Sequence, residues 1–235
     1  MGKPQKRRLA GQSGLEMKDF GPIGKRQEKS FAAFDNGQHL VLHGYAGTGK
    51  TFVACYLALK EMNENRFIEK VVIIRSAVPT RDLGFLPGTV DEKANAYEEP
   101  YIETINSIYG RGDAYGLLKK RGEIEFITTS FLRGINLNRA VVIVDEIQNM
   151  SYQELSTIIT RIGPNSRIIF CGDFRQTDLI KSSEKQGLKD LLNILDLLPV
   201  FTHIEFQIDD IIRSDLVKDF IIASTQYFDK KEQEK

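Results

Sequence analysis

Lys50, Thr51, Asp145 and Glu146 are the residues of this chain whose types and spacing could do chemistry on a phosphate. The first two close the stretch Gly44-Tyr45-Ala46-Gly47-Thr48-Gly49-Lys50-Thr51, a full G-x-x-x-x-G-K-[ST] match. In such a stretch the glycines let the backbone curl until successive N–H groups face an anion. Lys50 adds a positive charge for the outer phosphates, and Thr51 offers a hydroxyl to Mg²⁺. An apolar run at residues 39–43 precedes the stretch and a helical pattern from Thr51 to Asn63 follows it. That order of strand, loop and helix separates a phosphate-binding loop from a plain glycine-rich turn.

The second pair ends another apolar run, Val141-Val142-Ile143-Val144-Asp145-Glu146. Here Asp145 can hold Mg²⁺ directly or through water, and Glu146 can polarise an attacking water. An alternative is that both acids cap a helix starting near Ser151. A third stretch, Ile168-Ile169-Phe170-Cys171-Gly172-Asp173-Phe174-Arg175-Gln176, again runs from strand into polar loop. The amide of Gln176 could sense a γ-phosphate, with a simple Gly-Asp turn as the competing reading.

The elements that must position these residues alternate along the chain. Short apolar runs at 39–43, 71–75, 124–128, 140–144, 167–171 and 203–207 read as strands covered on both faces, and so as a parallel sheet. Helical patterns follow at 51–63, around 91–108, and at 152–162, 188–197 and 216–228. The expected fold is therefore α/β, a three-layer P-loop NTPase (RecA-like) with a mainly parallel central sheet. Ligands of such sheets sit beyond the C-terminal ends of the strands, where the glycine-rich loop falls.

Length and composition bound what else the chain can be. Its 235 residues, 41% of them hydrophobic, suit one large domain, expected over residues 21–228 between a loose basic arm (1–20) and a charged tail (229–235). No stretch nears the roughly 18 apolar residues of a membrane span, and no apolar segment follows the first basic residues, so no membrane partner and a cytoplasmic location are expected. Cys55 and Cys171 fit small buried hydrophobes better than a disulfide, and three histidines with two cysteines give no zinc-ligand spacing. Lys and Arg number 32, as do Asp and Glu, so net charge announces no nucleic-acid partner, although a local patch is compatible with it. Residues 75–81 include Arg75, Ser76, Thr80 and Arg81 after a strand at the ligand edge. They read either as phosphate-backbone contacts or as a plain βα connection. Tyr97, Tyr101 and Tyr109 read as core or interface and not as base-stacking platforms.

Taken together the stretches resemble the motif set of superfamily 1 helicases. Gln27 then resembles an adenine-reading glutamine, and Asp209-Asp210-Ile211-Ile212-Arg213 resembles a late motif whose arginine serves the phosphates. More specifically, Phe131-Leu132-Arg133-Gly134-Ile135-Asn136-Leu137, Asp145-Glu146-Ile147-Gln148-Asn149, Leu83-Gly84-Phe85-Leu86-Pro87-Gly88 and the Gly172-Asp173 turn resemble PhoH-like proteins over about residues 20 to 228. Ile147, Ser76 and Ser214-Asp215 depart from that family's usual residues.

The resemblance implies an ATPase using ATP and Mg²⁺, acting on RNA or single-stranded DNA and assembled as a homo-oligomeric, hexameric ring. It implies binding of nucleotide by Gln27, Gly44, Tyr45, Ala46, Gly47, Thr48, Gly49, Lys50 and Thr51, and of the metal by Thr51 and Asp145. Catalysis would rest on Lys50, Glu146, Gln176 and Arg213, and nucleic-acid contact on Arg75, Thr80 and Arg81. With one glycine-rich loop per chain, Arg213 would reach across a subunit boundary, pairing with Asp209-Asp210 in its own chain being the alternative. An ATP-driven remodeller of a protein partner and a small-molecule kinase are the competing functions; no lid or acceptor pocket is legible for the latter.

Overall fold

The computed structural model of the chain describes residues 15–76, 90–132, 134–173 and 182–233. Thr80, Arg81, residues 83–88, Arg133, Gln176 and residues 1–14 of the expected arm lie outside them. Among the described residues the elements run α1 (Lys25–Asp35), β1 (His39–Gly44), α2 (Lys50–Glu64), β2 (Lys70–Arg75), α3 (Val90–Tyr109), α4 (Ala114–Lys120), β3 (Ile124–Thr128), β4 (Ala140–Asp145), α5 (Tyr152–Ile159), β5 (Arg167–Gly172), α6 (Ser182–Asp196), β6 (Phe201–Phe206) and α7 (Asp215–Gln233).

All six strands pair in parallel, in the order β3-β2-β4-β5-β1-β6. The continuous apolar runs are explained by burial on both faces. Alternate residues go to opposite layers, as the pleat requires. Leu40, Leu42, Val71, Ile73, Val141, Ile143, Ile169 and Cys171 pack against α1–α4, whereas Val41, Val72, Ile74, Val142, Val144, Ile168 and Phe170 pack against α5 and α6. Because every strand runs the same way, the carboxyl ends of β1, β4 and β5 meet at one edge, with β5 between the other two.

Two helices were not expected from the pattern, α1 and α4. The helix expected at residues 152–162 ends at Ile159, and Ile162 instead bridges in parallel to Leu137. The last strand begins earlier than expected, at Phe201. The arm expected over residues 1–20 is docked at its end: Leu15, Met17 and Phe20 pack on the core, Lys18 N donates to Ile108 O (2.9 Å), and Phe20 sits edge-on to Phe52 and Tyr56. Both cysteines are buried and free, and burial pushes their thiols up. Among the described residues no helix is long and apolar enough to cross a membrane.

Candidate active site at the strand tips

Leaving β1, the chain turns through Gly44 (φ 117°), Gly47 (φ 74°) and Gly49 (φ 82°), a left-handed geometry that L side chains rarely adopt. At Gly44 there is no room either, since a Cβ would lie 2.0 Å from the carbonyl oxygen of Phe206 on β6. Gly49 caps α2, so the helix begins at Lys50 with its first N–H groups turned toward the loop. Thr48 is fully buried and its hydroxyl donates to Tyr45 O (2.9 Å), closing the loop on itself. Lys50 Nζ donates to Gly44 O (2.9 Å) and Tyr45 O (2.7 Å), an orientation along the inner rim of the loop. Burial lowers the Lys50 pKa, opposed by the negative charges of Asp173, Asp145 and Glu146.

β4 delivers the acids to the same place. Asp145, 5% exposed, accepts at Oδ2 from the Thr51 hydroxyl (3.1 Å) and from the Tyr101 hydroxyl of α3 (2.8 Å). Its Oδ1 accepts from the backbone N of Glu146 (3.0 Å). The contact between Thr51 and Asp145 joins residues 94 apart in sequence and assembles the two stretches into one site. Glu146 itself takes a left-handed conformation (φ 55°, ψ 42°), an uncommon one for a residue with a side chain. That twist turns its carboxylate to accept from the Gln148 side-chain amide. Burial first, and the neighbouring Asp145 charge second, push the Glu146 carboxyl above the usual carboxylate range, while Arg75, Gln148 and Lys50 pull it down.

Helix capping does not occupy these acids. The cap of α5 is Ser151 with Glu154: Glu154 N donates to Ser151 Oγ (3.3 Å) and Ser151 N to Glu154 Oε2 (2.8 Å). The third stretch arrives through Asp173, whose backbone N donates to Gln148 Oε1 (3.0 Å). Gln148 thus touches both the Glu146 carboxylate and the end of β5.

Gln27, on α1, lies beside the loop: its Oε1 accepts from Ile23 N (2.9 Å) and its Nε2 donates to Thr48 O (3.4 Å). Arg213 is an exposed side chain lying over the loop of its own chain. Ile212 N donates to Gly47 O (3.0 Å), and a Cβ at Gly47 would come within 2.9 Å of Arg213 Cγ. The ion pair of Asp210 is with Arg26 (3.0 Å). Arg75 pairs in register with Asp145, and its guanidinium sits over the Tyr97 ring at 5.5 Å. It is therefore next to the acids as well as at the strand tip. Tyr101 and Tyr109 are buried core residues.

Two polar residues of the site carry no role in the sequence reading. Gln148 had a signal, being two residues beyond Glu146 on the same turn. Tyr101 had none, because its contact with Asp145 spans 44 residues and exists only once α3 packs on the sheet.

The donor set at Thr51 and Asp145 fits Mg²⁺. A hydroxyl and a carboxylate are hard oxygen donors, and this ion is commonly held by one or two protein groups with waters and substrate phosphates completing its shell. Among the described residues no cluster of histidine, cysteine and acidic side chains is arranged to hold a metal by itself.

A family model described as PhoH-like protein matches residues 20–225. The chain belongs to the PhoH family. A PhoH-like protein of Bacillus subtilis (strain 168) is 36% identical over 181 residues, covering 77% of this chain and 56% of the relative. One from Synechocystis sp. is 32% identical over 199 residues, covering 84% and 60%. This PhoH-family chain thus spans less than two thirds of those relatives. In three dimensions it is similar to the large terminase of a thermophilic bacteriophage, with a TM-score of 0.54 at 16% identity over 84% of this chain and 48% of that one. The likeness confirms the P-loop NTPase fold.

Proposed function

We propose that this PhoH-family domain is a Mg²⁺-dependent ATPase that works on RNA or single-stranded DNA as a homo-oligomeric ring. The observation that carries the ATPase reading is the Thr51–Asp145 contact with Glu146 beside it, which sets a carboxylate pair against the mouth of a phosphate-binding loop. Phosphoryl transfer asks a protein chiefly for positioning and charge neutralisation. The loop amides and Lys50 bind the phosphates, and Gln27 lies on the side from which a base could be read. Thr51 and Asp145 hold the cation, which when bound neutralises charge on the outer phosphates. Glu146 orients and polarises the attacking water; its carboxylate is aimed by Gln148, and burial raises its pKa in the direction that makes it a better base.

Arg213 serves the phosphates of its own chain in this reading, supported by its place over Gly47. Mixing inactive Lys50→Ala chains with inactive Arg213→Ala chains then restores no hydrolysis. Recovery of activity in the mixture would instead make Arg213 a contribution from the neighbouring subunit.

The nucleic-acid part rests on the order of motifs and on Arg75 at the β2 tip, with Thr80 and Arg81 shortly after it in sequence. The test is the rate of ATP hydrolysis with and without single-stranded RNA. The reading expects stimulation, weakened when Arg75 and Arg81 are both neutralised; an unchanged rate would remove the nucleic-acid half and leave the ATPase half standing.

A further inference from the structure

Tyr101 is wholly buried in the layer between α3 and the sheet, its ring 5.7 Å from that of Phe126. A buried phenol needs a hydrogen-bond partner. It donates to Asp145 Oδ2, the same oxygen that accepts from Thr51. With Oδ1 held by the Glu146 amide, the carboxylate is fixed by donors from the start of α2, from the middle of α3 and from its own turn. Removing any of them leaves the group more freedom to rotate about its last bond.

Resting on the reading that Thr51 and Asp145 bind Mg²⁺, we propose that Tyr101 is a positioning residue that orients the Asp145 carboxylate for the cation. Two effects of the phenol oppose each other. As a donor it draws charge from the carboxylate, which weakens attraction for a cation; as a fixed strut it holds the group in one orientation, which strengthens binding. Orientation is the larger effect in metal sites, where loss of an outer partner typically costs 10–100-fold in affinity. The same helix face carries Tyr97, one turn earlier, under the Arg75 guanidinium. α3 therefore supports both the metal-ligand strand and its neighbour.

The test is the affinity of the full chain for a fluorescent ADP analogue, titrated with MgCl₂ and repeated in EDTA. Tyr101→Phe keeps the ring and its packing and removes only the hydroxyl. The concentration of Mg²⁺ giving half of the metal-dependent tightening should rise at least about tenfold, with affinity in EDTA unchanged. Tyr115→Phe is the control, because its hydroxyl donates to Glu98 elsewhere in the core, and it should leave the Mg²⁺ titration unmoved. An unchanged or lower half-saturating Mg²⁺ in Tyr101→Phe would overturn the proposal. So would a parallel loss of affinity in EDTA, or an equal shift in Tyr115→Phe, since either marks a merely structural role. No Mg²⁺ effect in the unsubstituted protein would overturn the metal reading itself, and this proposal with it.

Discussion

The turn after β1 and the turn after β4 solve the same problem in opposite ways. Each must leave a buried parallel strand and double back at the sheet edge in left-handed backbone. The first does so on glycines at φ 117°, 74° and 82°, the second on Glu146 at φ 55° with its side chain in place. The difference follows from what each turn presents. A loop that offers backbone N–H groups to an anion gains nothing from side chains and, at Gly44, has no room for one. A turn that must aim a carboxylate needs the side chain, and the strain of its backbone is held by the contacts around it: Oδ1 of Asp145 on its amide and Gln148 on its carboxylate.

The comparison can be broken at either turn. The largest effect on the fold should come from Gly44→Ala, which forces a Cβ onto the Phe206 carbonyl in a backbone region alanine avoids. A loss of about 3 kcal/mol is expected from strain and overpacking, read by urea denaturation. Wild-type stability would show that the loop is free to move away from β6. Next comes Gln148→Ala, which removes one of the contacts that hold the second turn and releases the Glu146 carboxylate. ATP turnover should fall on the order of tenfold with nucleotide affinity unchanged, the scale of one hydrogen bond to a charged group. Unaltered turnover would mean that Gln148 does not aim Glu146.

Glu146→Gly sharpens the contrast, since it gives the second turn the solution of the first. The variant should be more stable by about 1 kcal/mol in urea or thermal melts, with hydrolysis lost, because relief of left-handed strain outweighs the added chain freedom. A less stable variant would mean that the contacts of the carboxylate outweigh its strain. The smallest effect lies away from both turns. Burial, and then the charge of Arg167, hold the His39 pKa below its ordinary value, and its Nδ1 accepts from Ile168 N (3.3 Å) in the neutral form. A depressed histidine pKa means that the unfolded chain takes up a proton first as pH falls. The contribution of His39 to stability should therefore be constant above about pH 7 and decline as pH drops through about 6.5, the ordinary histidine value. His39→Gln should make the decline of stability in this range shallower in thermal melts, the rest coming from His43 and His203, whose pKa values burial also lowers; an identical slope would move its origin to other groups.

How much was legible follows from where the information lies. The four inner strands were readable because burial on both faces writes itself as an apolar run, as in Val141-Val142-Ile143-Val144, whereas the edge strands β3 and β6 are only partly buried and carry polar residues. The loop and the acid pair were readable because their geometry is built from neighbours in sequence. Helix α1 was not, since Lys25-Arg26-Gln27-Glu28-Lys29-Ser30 hides its burial in Gln27 and Ser30, and those residues are buried by the loop and sheet they meet. The docking of Leu15, Met17 and Phe20, and the contact of Tyr101 with Asp145, are tertiary events with no local pattern. The two readings offered for Asp145 and Glu146 could be told apart only when Ser151 and Glu154 proved to supply the helix cap themselves.

In the proposed mechanism Glu146 activates water at a site whose nucleotide contacts are made by other residues. The direct measurement is ATP turnover by Glu146→Gln alongside its affinity for ATP. Turnover lower by on the order of 10²–10⁴, with affinity within a few-fold of the unsubstituted protein, is the predicted result. Turnover within a few-fold of the unsubstituted protein would contradict it.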